Sequence, residues 1–189
     1  MGKYDYEIKE TLFEIDLSKA SDKDESVKNL IDTYEKLKST IFVEIYAHDI
    51  LEKLQLIKAE KNRRAQQELF ENLVTELQHK EYKKSDVYGF LNMIIVDALS
   101  LGNTICHLDS LEIINKVWRL YQEKNTFYGD IWYSRKETGL CLDMGRKVVR
   151  IQGLMGGLLI HIEKETILDT ILDLVNYCTL MKVYLQYIK

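Results

Sequence analysis

Residues 163–188 read EKETILDTILDLVNYCTLMKVYLQYI, twenty-six positions without a glycine or a proline. At about 100° per residue, Ile167, Leu168, Ile171, Leu174, Val175, Cys178, Met181 and Leu185 share one face of a helix. Glu165, Asp169, Asp173 and Asn176 fall within an arc of about 80° on the opposite face. The period predicts a long amphipathic helix from Glu163 to Ile188.

The same period recurs upstream. Val27, Leu30, Ile31, Tyr34, Leu37, Ile41, Ile45, Ile50, Leu51 and Leu54 predict helix from Ser26 to about Ile57, entered through Asp22 or Asp24 as cap. Phe70, Leu73, Val74 and Leu77 continue a helical stripe after the charged run 58–67. Ser85-Asp86 opens the next helix, with the core run Phe90 to Val96 and a stop at Leu101-Gly102-Asn103. Leu111, Ile114, Val117, Trp118 and Tyr121 predict a helix from Leu108 to Gln122. A shorter one spans Leu140 to Leu154 and is broken by Gly153, Gly156 and Gly157. The segment Tyr4 to Leu17 is read as helix on Ile8, Leu12, Phe13 and Ile15, although Phe13 to Leu17 also alternates like a strand.

The chain has 189 residues and no proline, which suits long uninterrupted helices. The expectation is an all-α helical bundle, with long helices over residues 1–110 and a compact helical half over 111–189. Hydrophobic residues at 46% exclude a disordered chain. The formal charge of −4 removes a whole-surface basic field, so no extended nucleic acid is expected as partner. Three widely spaced cysteines form neither a disulfide framework nor a zinc knuckle. The amino end lacks an apolar signal core, and apolar runs are short and interrupted. No membrane partner and a cytoplasmic location follow as expectations.

Three constellations carry chemistry. Glu165, Asp169 and Asp173 stack at i, i+4 and i+8 and repel one another unless something neutralises them. A hard cation, Mg²⁺ or Mn²⁺, would do so. A solvated acidic face and a salt-bridged helix pair are the alternatives. Arg146, Lys147 and Arg150 form a basic helix face suited to phosphate oxygens, or to bridging Asp169 or Asp173. In the segment 125–132, Gly129 permits a turn presenting Tyr128, Asp130 and Trp132. These rings either stack on a base or pack as an aromatic corner between helices.

In this order the pieces resemble a family. Tyr128-Gly129-Asp130-Ile131-Trp132, the run Gly145-Arg146-Lys147-Val148-Val149-Arg150-Ile151, and the helix from Glu165 to Tyr177 look like the nucleotide-modification-associated domain, first type. That family occurs in phages and bacteria. The likeness spans about residues 115 to 185, while residues 1 to about 110 resemble nothing of the kind. It implies an all-α domain tied to nucleotide metabolism, in the host cytoplasm if phage-encoded. The helix arrangement is also similar to the MazG-type nucleotide pyrophosphohydrolases, which hold Mg²⁺ on two acidic helices. Here the acids are spaced by four, and Asp49-x-x-Glu52 is the nearest upstream counterpart.

The expected function is therefore nucleotide binding with metal-dependent hydrolysis of a nucleoside phosphate. Glu165, Asp169 and Asp173 would hold Mg²⁺, with Asp169 and Asp173 as the catalytic pair. Arg146, Lys147 and Arg150 would neutralise phosphate, and Tyr128, Asp130, Trp132 and Asn176 would contact the rest of the ligand. The first alternative is a non-catalytic phage protein that sequesters a nucleotide or nucleotide-derived small molecule. The second is a helical interaction module. A homo-oligomer is expected, because long helices bury an apolar stripe between subunits as readily as within one. No P-loop, Gly-x-Gly-x-x-Gly or Gly-x-Ser-x-Gly motif occurs.

Overall fold

The computed structural model describes residues 2–15, 23–42, 54–78, 83–156 and 164–187. It is all-α, with no strand among the described residues. The helices are α1 (Asp5–Phe13), α2 (Lys23–Ile41), α3 (Arg63–Gln78), α4 (Lys84–Cys106), α5 (Ser110–Tyr128), a 3₁₀ segment (Gly129–Arg135), α6 (Lys136–Met155) and α7 (Lys164–Tyr187). The helical reading of the amino-terminal segment holds from Asp5 to Phe13, where Ile8 and Leu12 are fully buried one turn apart; Glu14 and Ile15 lie past the helix end, and residues 16 and 17 lie outside the described residues. Ile45, Ile50 and Leu51, the cap residue Asp22, and the side chains of Asp24, Leu73, Val74 and Leu77 lie outside the described residues.

Four helices close a ring. α2 packs on α4 and α6, and α7 packs on the same two from the other side. α1, α5 and the 3₁₀ segment then cover the remaining flank of α7. One continuous apolar core results, running through Leu30, Leu37, Leu91, Ile95, Ile113, Leu140, Met144, Ile171 and Met181. It crosses position 110 without interruption.

Being central changes α7. Beyond Asp173 it is buried on nearly every side, with Leu174, Val175, Asn176, Cys178, Thr179, Leu180 and Met181 all inside. Its acidic stripe therefore runs from solvent into the interior: Asp169 is exposed, Asp173 is partly buried and Asn176 is buried. Elsewhere in the ring, α2 and α6 meet over a small residue. A β-carbon built at Gly145 of α6 would stand 2.1 Å from the Tyr34 hydroxyl, so glycine sets how closely α2 and α6 approach. Tyr34 donates from that position to the Cys141 carbonyl at 3.2 Å.

Three boundaries correct the sequence reading. Gly102 does not stop α4: it lies inside the helix, where Ile113 of α5 fills the space of a β-carbon. The stop comes at His107, which adopts the left-handed conformation. α5 begins at a capping box, where Asp109 accepts from the Glu112 N–H and Glu112 accepts from the Asp109 N–H. It continues to Tyr128, six residues beyond the expected Gln122, and α6 begins at Lys136 rather than Leu140. By length and composition α4 could cross a membrane, a test that the core helix of a folded domain also passes. Here Val87, Leu91, Ile94, Ile95, Ala98, Leu99 and Leu101 pack into the core, while Met93 is exposed.

Candidate functional site

The charged residues of the carboxy-terminal half gather where α5, α6 and α7 meet. Lys124 of α5 donates to Asp173 Oδ1 at 2.5 Å. Lys147 of α6 donates to Asp173 Oδ2 at 2.6 Å. Burial pushes the Asp173 carboxyl up, but the hydrogen bonds and charges of the two ammonium groups outweigh it. The carboxyl ends below its ordinary value and stays ionised.

A second group adjoins the first through neighbouring Arg146 and Lys147. The Asp143 carboxylate is buried and receives the Arg135 guanidinium in a fork, Nε at 2.6 Å and Nη2 at 3.0 Å. Arg146 adds a contact at 3.3 Å, with its side chain 71% exposed. Arg150, one turn further along α6, is exposed. Among the described residues, Lys124, Lys147, Arg135 and Arg146 thus form ion pairs with two carboxylates, Asp143 and Asp173.

This arrangement matches the salt-bridged alternative for Lys147 and Asp173. It adds Lys124, which the sequence reading missed. A signal for it existed: Tyr121, Lys124 and Tyr128 fall at i, i+3 and i+7 on α5, and Tyr121 is buried. The next polar residue on that stripe lies at the edge of the α5–α7 contact. Arg135 stands out in the sequence as added charge beside the basic helix, but its reach to Asp143 crosses the junction at Lys136, where φ is +55°.

As a Mg²⁺ site the acidic row is altered by these contacts. Both Asp173 oxygens are held by ammonium groups, so a cation could bind there only by displacing Lys124 and Lys147. Among the described residues no group of three or more His, Cys, Asp or Glu side chains is placed to hold a metal ion. The Glu165 side chain lies outside the described residues, as do Asp49 and Glu52.

The aromatic turn splits. Trp132 is 8% exposed and meets Tyr4 of the amino-terminal segment edge-on at 5.3 Å. Tyr133 stacks on Tyr4 at 5.2 Å and leans on Tyr184 at 5.0 Å. Asp130 accepts the Lys3 N–H at 3.2 Å. Asp5 accepts from the Tyr121 hydroxyl at 2.9 Å and from Asn125 at 3.2 Å, and Glu7 accepts from Tyr187. The amino-terminal segment therefore seals Asp130 and Trp132 as a packed corner. Tyr128 is left outside at 67% exposed, beside Phe127 at 83%. Asn176 is buried, and its Oδ1 has no partner among the described residues.

The thiols belong to the core. Burial pushes Cys141 up to about 12 and raises Cys178 as well, so neither supplies a thiolate near neutral pH. Elsewhere, an open groove of about 610 Å³ lies along the start of α3, lined by Ile57, Arg63, Arg64, Gln66, Gln67 and Phe70. No family model, curated protein or solved structure matches the chain.

Proposed function

We propose that the protein binds a nucleotide, or a small molecule derived from one, through its phosphates on the α5–α6–α7 face, and that it holds the ligand without a metal ion. One observation carries this reading. On a chain of net charge −4, Lys124, Lys147, Arg135 and Arg146 crowd around two carboxylates, with Arg150 exposed beside them. The surplus positive charge is what a phosphate would neutralise. Arg146 and Arg150, four residues apart on one face, are free to turn toward an anion. Phosphate oxygen would compete with Asp173 for Lys124 and Lys147, since turning both lysines away leaves a partly buried carboxylate unpaired.

Sequestration of a nucleotide suits this face better than hydrolysis, since Asp173 is committed to the lysines. Metal-dependent hydrolysis at Asp169 and Asp173 is the second reading, favoured by the exposure of Asp169 one turn before Asp173. Asp173→Asn separates the two. Removing the carboxylate that competes for Lys124 and Lys147 is expected to tighten nucleoside diphosphate binding several-fold in the presence of EDTA, measured by calorimetry. Turnover that requires Mg²⁺ and disappears in Asp173→Asn would establish the hydrolase instead. Arg146→Ala, at an exposed position, is expected to weaken binding about tenfold. No binding of any nucleotide, with or without Mg²⁺, overturns both readings.

A further inference from the structure

We propose that the exposed face of Tyr128, with Phe127 beside it, is a stacking platform for the base of the bound ligand, which makes that ligand a nucleoside phosphate rather than a sugar phosphate or an inorganic polyphosphate. This rests on the phosphate-binding reading above and adds to it what the ligand carries beyond its phosphates.

What sets Phe127 and Tyr128 apart from the other exposed rings, Tyr6, Phe13 and Phe70, is where they stand. Tyr4, Trp132, Tyr133, Tyr184 and Tyr187 are gathered into one cluster, and Trp118 stacks on Tyr121 at 5.6 Å. Phe127 and Tyr128 have no ring partner among the described residues and stand in solvent at the end of an otherwise packed helix. Their position is specific. Tyr128 lies four residues after Lys124 on α5, on the same face and one turn away. One turn is about 5.4 Å, which is close to the reach of a ribose between a base and its 5′-phosphate. In this proposal the phosphates sit on Lys124 and Lys147, and the base takes the exposed ring one turn further along α5. Immediately after Tyr128, Gly129 turns the chain at φ +55° into the 3₁₀ segment, which leaves the ring exposed. A stacked base gains the apolar contact that these rings now lack, and every base offers a π face for it.

The test measures pyrophosphate and the four ribonucleoside diphosphates against the full-length protein by calorimetry, in the native chain and in Tyr128→Ala, Tyr128→Phe and Phe127→Ala. At 67% exposed, Tyr128 is replaceable without unfolding the protein, and an unchanged melting temperature confirms it. The expected result is that nucleoside diphosphates bind at least tenfold more tightly than pyrophosphate. Tyr128→Ala should abolish that difference and leave pyrophosphate affinity intact, while Tyr128→Phe should preserve it. Equal affinities for pyrophosphate and the nucleotides in the native chain, or a difference that survives Tyr128→Ala, overturns the platform while the phosphate site stands. If pyrophosphate and the nucleotides all fail to bind, the proposed function falls and the platform with it.

Discussion

The turn at 128–132 and the basic helix face at 146–150 are close in sequence and end in opposite situations. Around the turn, Trp132, Asp130 and Asn125 are covered by residues 3–7, and Asp130 Oδ1, Asn125 Oδ1 and Trp132 Nε1 are buried there without a hydrogen-bond partner among the described residues. On the basic face, cations outnumber the carboxylates they touch, and Arg146 and Arg150 remain in water. Both regions use aromatic and charged residues of the kinds that bind nucleotides. What separates them is whether another part of the same chain arrives to cover them. Residue type proposes a site, and burial by distant sequence decides whether it is open.

That contrast breaks if the corner proves functional or the face proves structural. The largest effect belongs to the corner. Trp132→Ala removes a large buried side chain packed against Tyr4 and Tyr133, and is expected to cost about 3–5 kcal/mol. At this chain length that lowers the melting temperature by roughly 10 °C. Nucleotide affinity measured well below the transition should not change. A loss of affinity with unchanged stability would place Trp132 in the site.

Next comes Gly145→Ala, beside the basic face yet on its buried side. The new β-carbon meets the Tyr34 hydroxyl, and forcing α2 and α6 apart is expected to cost about 1–3 kcal/mol. Tyr34→Phe in the same chain should recover part of the loss, read as the interaction energy of a double-mutant cycle in denaturant melts. Additive effects would mean that the two helices shift freely.

A smaller effect concerns Asp173. Its carboxyl lies below the ordinary value in the folded chain, so the folded state binds that proton less readily than the unfolded one. The stability it contributes is present above about pH 4 and is lost as pH falls through the folded-state value. With Lys124 partly exposed, the contribution is on the order of 1 kcal/mol. Asp173→Asn should flatten that part of the acid limb in melting curves taken between pH 2 and 5. An unchanged limb would mean that the lysine contacts contribute nothing to stability.

The smallest stability effect is expected at Arg150→Ala, within about 0.5 kcal/mol of native because the side chain is exposed. Its consequence should appear in phosphate affinity and in the salt dependence of binding. A variant that melts normally and binds normally at low salt would remove Arg150 from the face.

The sequence by itself determined the helices. Periodicity placed α2, α4, α5 and α7, and the absence of proline made long ones possible, because local spacing states which face each helix must bury. It also marked Asp173, Arg146, Lys147 and Tyr128 as candidates, since their types and positions along single helices are local facts. Only the tertiary structure decided which of those candidates stay open to solvent. Periodicity shows α7 as two-faced, but four other helices surround it, so Asn176 is buried on the polar stripe that leaves Asp169 in water. Lys124 meets Asp173 across a separation of 49 residues, and Lys3 reaches Asp130 across 127. Contacts at such separations depend on how helices dock, and the spacing along any one helix carries no record of them.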